Sequence, residues 1–139
     1  MVVISDELRL DTKAELDIVD ITSALRVALS QTKLENGTVT VFIPGATGAI
    51  TTIEYEPGLL KDFPAALDRL FPRDQYYYHH ETWHDNNGHS HVRAAMLSPS
   101  LTIPFSQSKL ILGTWQQVVF VELDTRARSR RLSLTFIGE

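Results

Sequence analysis

The sequence predicts an α+β fold, a β-sandwich-like core of short, mostly antiparallel strands with two helices packed on one side. Three observations lead there. Runs rich in Val, Ile, Thr and Phe recur along the chain, bounded by Gly, Pro or Asn. Only two stretches carry apolar residues at helical spacing. The chain is 139 residues long with no internal repeat or linker, which predicts one domain over 1–139 around a single core.

In chain order, Val2 to Asp11 reads as a strand broken by a polar turn or bulge. From Asp20, the residues Ile21, Leu25, Ala28 and Leu29 share one helical stripe, and Asp17 or Asp20 can cap its first turn. Glu35-Asn36-Gly37 is turn chemistry. Thr38 to Ile43 is a strand closed by Pro44, Gly45 to Gly48 a tight loop, and Ala49 to Tyr55 another strand. Leu59, Leu60, Phe63, Leu67 and Leu70 mark the second helix, stopped near Pro72. Tyr76 to Ser90 reads as a polar loop, and Val92 to Leu97 suits a buried strand. Leu101 to Pro104, Lys109 to Leu112, Gln117 to Leu123 and the alternating Leu132 to Phe136 complete the strands.

Composition narrows the function. A formal net charge of -4 lacks the basic excess of a nucleic-acid footprint. The absence of cysteine excludes disulfides, thiolate metal sites and cysteine nucleophiles. No apolar run approaches the ~20 residues that span a bilayer, so no membrane association is expected. The start of the chain has no basic region before its apolar stretch, so it does not read as a signal peptide and a cytoplasmic location is expected.

All five histidines, His79, His80, His84, His89 and His91, lie within thirteen residues. Imidazole is the commonest metal ligand and the side chain best placed to move protons near neutral pH. If the chain is extended there, His89 and His91 point to one face. With His79 they would form a three-ligand site for a divalent metal such as zinc or magnesium. Glu81 and Asp85 could orient the imidazoles. The bland alternative is a solvated polar loop. A cupin site needs a glutamate three or four residues past the second histidine; Ala95 and Met96 stand there, so that reading fails.

Glu54 and Glu122 interrupt apolar strands, where a carboxylate is either paired, used or turned to solvent. The Gly45–Gly48 loop could offer backbone amides to phosphate, but no Gly-Lys-Ser/Thr follows and a hairpin turn explains it as well. Arg126, Arg128, Arg130 and Arg131 form the densest positive stretch; Arg128 and Arg130 would share one face of a strand and suit a phosphate or other small anion. Ser90 and Ser98 have no nucleophile elbow. Trp83 and Trp115 read as packing anchors.

Several of these pieces together resemble the YjbQ-like family. They are Leu112-Gly113-Thr114-Trp115-Gln116, then Glu122 and Arg128-x-Arg130; Asn87-Gly88-His89-Ser90-His91 before Ser100 to Pro104; and Val41 to Pro44 with Thr47 and Ile50 to Glu54. The resemblance runs from about Asp20 to the end. It implies a small α+β homotrimer with a histidine site that holds a metal or an anion. The implied activity is weak thiamine-phosphate synthesis, joining a pyrimidine diphosphate to a thiazole phosphate. It assigns His79, His91 and Glu54 to catalysis, and Arg128, Arg130, Trp115, Gln116, Glu122 and Thr47 to substrate or anion binding. The family's first histidine falls on Gly45 here, and Ala46 replaces a threonine. The alternative is therefore a non-enzymatic trimer that binds a metal or small anion.

Overall fold

The computed structural model describes residues 1–139. Eight strands and four helices alternate along it: β1 Val2–Asp11, β2 Ile18–Asp20, α1 Thr22–Thr32, β3 Gly37–Phe42, β4 Gly48–Ile53, α2 Leu59–Leu70, α3 His79–Trp83, α4 Gly88–Leu97, β5 Ser100–Ser106, β6 Lys109–Leu110, β7 Gln117–Glu122 and β8 Ser129–Gly138. All pairings are antiparallel. One sheet has the order β1-β8-β3-β5-β6 and the other β2-β7-β4. The α+β class and the sandwich-like core are as the strand pattern predicts.

Alternation explains how the layers pack. Along β8, Leu132, Leu134 and Phe136 point inward while Arg131, Ser133 and Ile137 face out. They meet Val39 and Val41 of β3, Ile103 and Phe105 of β5, and the stripe Leu25, Ala28 and Leu29 of α1. From the smaller sheet, Ile50, Val118 and Phe120 close the same core. The opposite face of that sheet carries Ala49, Val119 and Val121, which pack on Leu67 of α2 and Ala94 of α4. Covered on both sides, β7 is buried from Val118 to Glu122, which is why it reads as a continuous apolar run.

Several local expectations hold. Asp20 Oδ1 accepts the Thr22 amide at 2.9 Å and so caps α1; Asp17 instead accepts the Lys13 amide. Phe71 ends α2 one residue before Pro72. No helix is long and apolar enough to cross a membrane.

Five expectations are corrected. The strand expected over Val92 to Leu97 is the second half of α4, and the loop expected over Tyr76 to Ser90 contains α3, so there are four helices rather than two. β1 is continuous through Asp6, without a bulge. Gly45 to Gly48 is not a hairpin turn, because it carries the chain from β3 in one sheet to β4 in the other. The tryptophans do not anchor packing: Trp83 is 69% exposed and Trp115 71%.

Candidate functional site

α3 and α4 come from one stretch of chain, and their packing creates the site. Gly88, the first residue of α4, lies so close to Tyr77 that a Cβ there would sit 2.5 Å from the Tyr77 Cβ and 3.3 Å from the His79 Cβ. This close approach brings His79 and His91 together, with ring centroids 4.4 Å apart and planes tilted by 35°. His79 Nδ1 lies 3.5 Å from Asp85 Oδ1. Burial pushes the His91 pKa below its ordinary value, and the neighbouring His79 adds to this, against the pull of Asp85 and Asp124. His91 is thus poised as a neutral imidazole near pH 7, with His79 and Asp85 beside it.

A second wall comes from the end of β7. Asp124 accepts the Thr125 amide at 2.8 Å and pairs with Arg128. Burial would raise its pKa, but these bonds from Thr125 and Arg128 hold it below its ordinary value, so it stays ionised. The Asn87 amide stands between Asp85 and Asp124; with one end 2.9 Å from Asp85 Oδ1, its nitrogen is assigned to that side, where it donates.

Beneath this rim, Glu122 and Arg130 form a buried ion pair. Arg130 Nε donates to Glu122 Oε1 at 2.9 Å, and Nη2 donates to Glu122 Oε2. Glu122 also accepts the Thr12 hydroxyl at 2.8 Å and the Asp124 amide at 3.1 Å. Arg130 Nη2 reaches across to the Thr47 carbonyl at 3.1 Å and hydroxyl at 3.0 Å. The network therefore pins the Gly45–Gly48 loop beside the histidines. Loop and helix enclose a cleft of about 350 Å³ lined by Gly45, Ala46, Gly48, His91, Ala94, Ala95 and Pro99.

Placed in this frame, the expected site residues separate. His79, His91, Thr47, Glu122, Arg128 and Arg130 gather around the cleft, but in different capacities. Arg130 Nε and Nη2 are taken by Glu122 and Thr47 in the interior, while Nη1, toward Gly45, makes no hydrogen bond. Arg128, before β8 rather than on it, is a third exposed and held by Asp124. His89 is also corrected. It lies on a helix, not an extended chain, so the two-residue step to His91 turns it ~200° to the far side. There it is 1% exposed and hydrogen-bonded to Glu15. The proposed His79, His89, His91 ligand set does not come together, and no other three His, Asp or Glu side chains converge as metal ligands. The residues present do not fit a tightly held metal.

Glu54, Trp115 and Gln116 lie elsewhere. Glu54 is exposed just past the end of β4, and the Trp115 turn precedes β7. Because Gly48 pairs with Glu122 and Ile53 with Gln117, this group occupies the opposite end of the β4–β7 pair from the cleft. At ~3.4 Å per residue the ends are about 17 Å apart.

Sequence reasoning missed Asp124 and Asn87 as rim residues and Glu15 as the partner of His89. Asn87 carried a usable signal, since a residue of its type directly before a stretch ending in Ala94-Ala95-Met96-Leu97 marks a helix start.

A two-sheet α+β sandwich with an imidazole pair over a small cleft defines the class of protein. The model of the UPF0047 protein YjbQ-like family matches residues 6–139, and the chain belongs to that family. It is 37% identical over 139 residues to a UPF0047 protein of Methanothermobacter thermautotrophicus, covering 100% of this chain and 95% of the relative. It is 38% identical over 135 residues to one of Mycobacterium tuberculosis, covering 96% and 97%. Among solved structures, a protein of unknown function from Sulfolobus solfataricus superposes with a TM-score of 0.92 at 28% identity, over 99% of this chain and 98% of that one. A YjbQ/UPF0047 protein of Clostridium acetobutylicum gives 0.87 at 32%, over 95% and 99%.

Proposed function

We propose that the cleft binds a small phosphorylated molecule and transforms it by imidazole acid–base chemistry, in the manner of a thiamine-phosphate synthase. The observation that carries this reading is the pair His79–His91 at 4.4 Å, one ring beside the Asp85 carboxylate and the other held neutral by burial. Two imidazoles in unlike surroundings, one beside a carboxylate and one half-buried, offer an acid and a base at one point. In the reaction that the family resemblance implies, the thiazole nitrogen attacks the pyrimidine methylene carbon. The carbon–nitrogen bond forms as the carbon–oxygen bond breaks, and diphosphate leaves with the bonding electrons. His79 would give a proton to the departing oxygen.

A second reading, an anion-binding protein without turnover, is favoured by Gly45. It lines the cleft where the family pattern carries a histidine, so one imidazole is missing there.

The test is incubation of purified protein with both precursors, magnesium being supplied as the counter-ion of the diphosphate. Thiamine phosphate formed by the wild type and reduced at least about a hundredfold in His79→Gln, the usual scale of a lost acid–base group, supports catalysis. Saturable binding of inorganic diphosphate with no product supports the second reading, and neither outcome removes both.

A further inference from the structure

We propose that β1 is a self-recognition edge, to which a second copy of this chain adds its own β1 antiparallel about a two-fold axis through Leu8. The inference is independent of the chemistry at the cleft. β1 runs from Val2 to Asp11 at the rim of the larger sheet, with β8 on one side and no strand on the other. The Thr12 amide donates to the Arg128 carbonyl at 2.9 Å, so along this ladder the even-numbered residues bond to β8. The amides and carbonyls of Val3, Ser5, Glu7, Arg9 and Asp11 therefore point to the free edge. Within the chain, the Glu7 amide turns to the Asp6 side chain at 2.7 Å. A long, unbroken edge of this kind is a template for another strand.

Charge selects the occupant and its register. Arg9 and Arg131 stand directly opposite each other across β1 and β8, a like-charged pair that weakens a sheet. Both guanidinium groups reach one carboxylate, Glu7, through Nε at 3.2 and 3.4 Å. Antiparallel pairing about Leu8 sets Glu7 of each copy opposite Arg9 of the other, so the arginine pair gains a second carboxylate. An axis through Asp6, Glu7 or Arg9 would instead set that charged residue against itself. An axis through Leu10 would overlap only Arg9 to Asp11 of the strand, and one through Ser5 brings no opposite charges together.

The apolar face of the strand agrees. Ile4, Leu8 and Leu10 pack on the main core but are only partly buried, because the sheet ends beside them. On the axis, Leu8 meets Leu8 of the second copy as a non-hydrogen-bonded pair and extends that core across the join. The flanking pairs, Glu7 with Arg9 and Ser5 with Asp11, exchange the backbone bonds that the free edge leaves open. The contact is isologous, so it closes at two copies and makes one continuous sheet of their two larger sheets.

The chain has no cysteine, so a single introduced one reports only on its own copy. In Leu8→Cys the two residues face each other with Cα atoms about 4.5 Å apart, within disulfide reach. Mild oxidation should therefore give a covalent dimer on non-reducing gels. Leu10→Cys, on the same face but opposite Asp6 of the second copy, should cross-link far more slowly. The exposed charges supply a second measurement that leaves the core untouched. Glu7→Arg or Arg9→Glu alone should weaken the two-fold step in sedimentation equilibrium by about tenfold. The double variant Glu7→Arg/Arg9→Glu, which puts opposite charges back in register, should recover it. Leu8→Cys that cross-links no faster than Leu10→Cys overturns the proposal. So does a chain with no two-fold step, or one whose association ignores the single reversals; the charges then serve only to guard an unpaired edge.

Discussion

Replacing Glu122 by leucine tests how the site is held in place. Glu122 is fully buried and accepts from Arg130 twice, from the Thr12 hydroxyl and from the Asp124 amide. In Glu122→Leu, the Thr12 hydroxyl retains the Arg128 carbonyl at 3.1 Å, but the Arg130 guanidinium keeps only Thr47, and the Asp124 amide has no acceptor. Stranding one partner of a buried ion pair costs about 3–5 kcal/mol. For a chain of this length the corresponding loss in melting temperature is about 10–17 °C. The double variant Glu122→Leu/Arg130→Met removes both charges and fills the volume with apolar atoms, so it should be more stable than Glu122→Leu alone. Urea unfolding of the two single variants, the double variant and the wild type measures the cycle. If the double variant loses the sum of the two singles, or Glu122→Leu loses less than ~1 kcal/mol, the pair does not carry the network described.

Three further outcomes are expected. By NMR titration His91 should ionise below the ordinary imidazole value of about 6.5. Its pKa should rise in His79→Gln and fall further in Asp85→Asn, since His79 lowers it and Asp85 raises it. The folded value is depressed, so the unfolded chain takes the proton first. Stability is therefore full above ~6.5 and declines as pH falls toward the folded value, a slope that His91→Asn should flatten in pH-dependent urea midpoints. Gly48→Ala should cost about 1–3 kcal/mol by overpacking, because the new Cβ would lie 2.6 Å from the Phe120 ring, whereas Gly45→Ala should change the melting temperature little. His89→Ala should lose ~1–3 kcal/mol with its buried bond to Glu15, while His91→Ala should lose under about 1 kcal/mol, a contrast read by thermal melts.

Where burial follows a period, the fold was legible. Leu132, Leu134 and Phe136 alternate with polar residues, and Leu25, Ala28 and Leu29 repeat at helical spacing, because one face of each element meets a core. α4 escaped notice for a specific reason. Its inward stripe is His89, Ser90, Arg93, Ala94 and Leu97, which has helical spacing but is mostly polar, so an apolar pattern does not see it. His89 and Arg93 are inside because partners wait there, Glu15 for His89 and the Phe71 carbonyl at 3.0 Å for Arg93 Nε, whereas the buried Ser90 hydroxyl has none. Such partners lie 22 to 74 residues away and leave no local trace. The histidine cluster was visible as composition, but which histidines meet depended on α4 being a helix. Glu122 and Arg130 were visible as oddities in apolar strands, yet only the two-sheet packing shows them opposed.

These observations assign the two faces of α4 to different tasks. The face bearing His89 and Arg93 is tied to Glu15 before α2, to Asp68 in its last turn and to Phe71 at its end. Glu15 also takes Arg73 at 2.6 Å, so one carboxylate links the β1–β2 connection to the chain following α2. The face bearing His91 and Ala95 is left to line the cleft. Buried charges are costly to retain, and a helix could have been fixed by apolar residues at lower cost. What the ionic anchor adds is direction: a fork and a ring bonded at defined points allow one rotation of α4, where apolar packing tolerates several. That rotation sets the 4.4 Å approach of His91 to His79. On the cleft's other side the Glu122–Arg130 pair holds Thr47 by the same means. The site is thus two imidazoles clamped between two buried ion networks, an arrangement that suits fixed proton-transfer geometry better than a yielding binding surface.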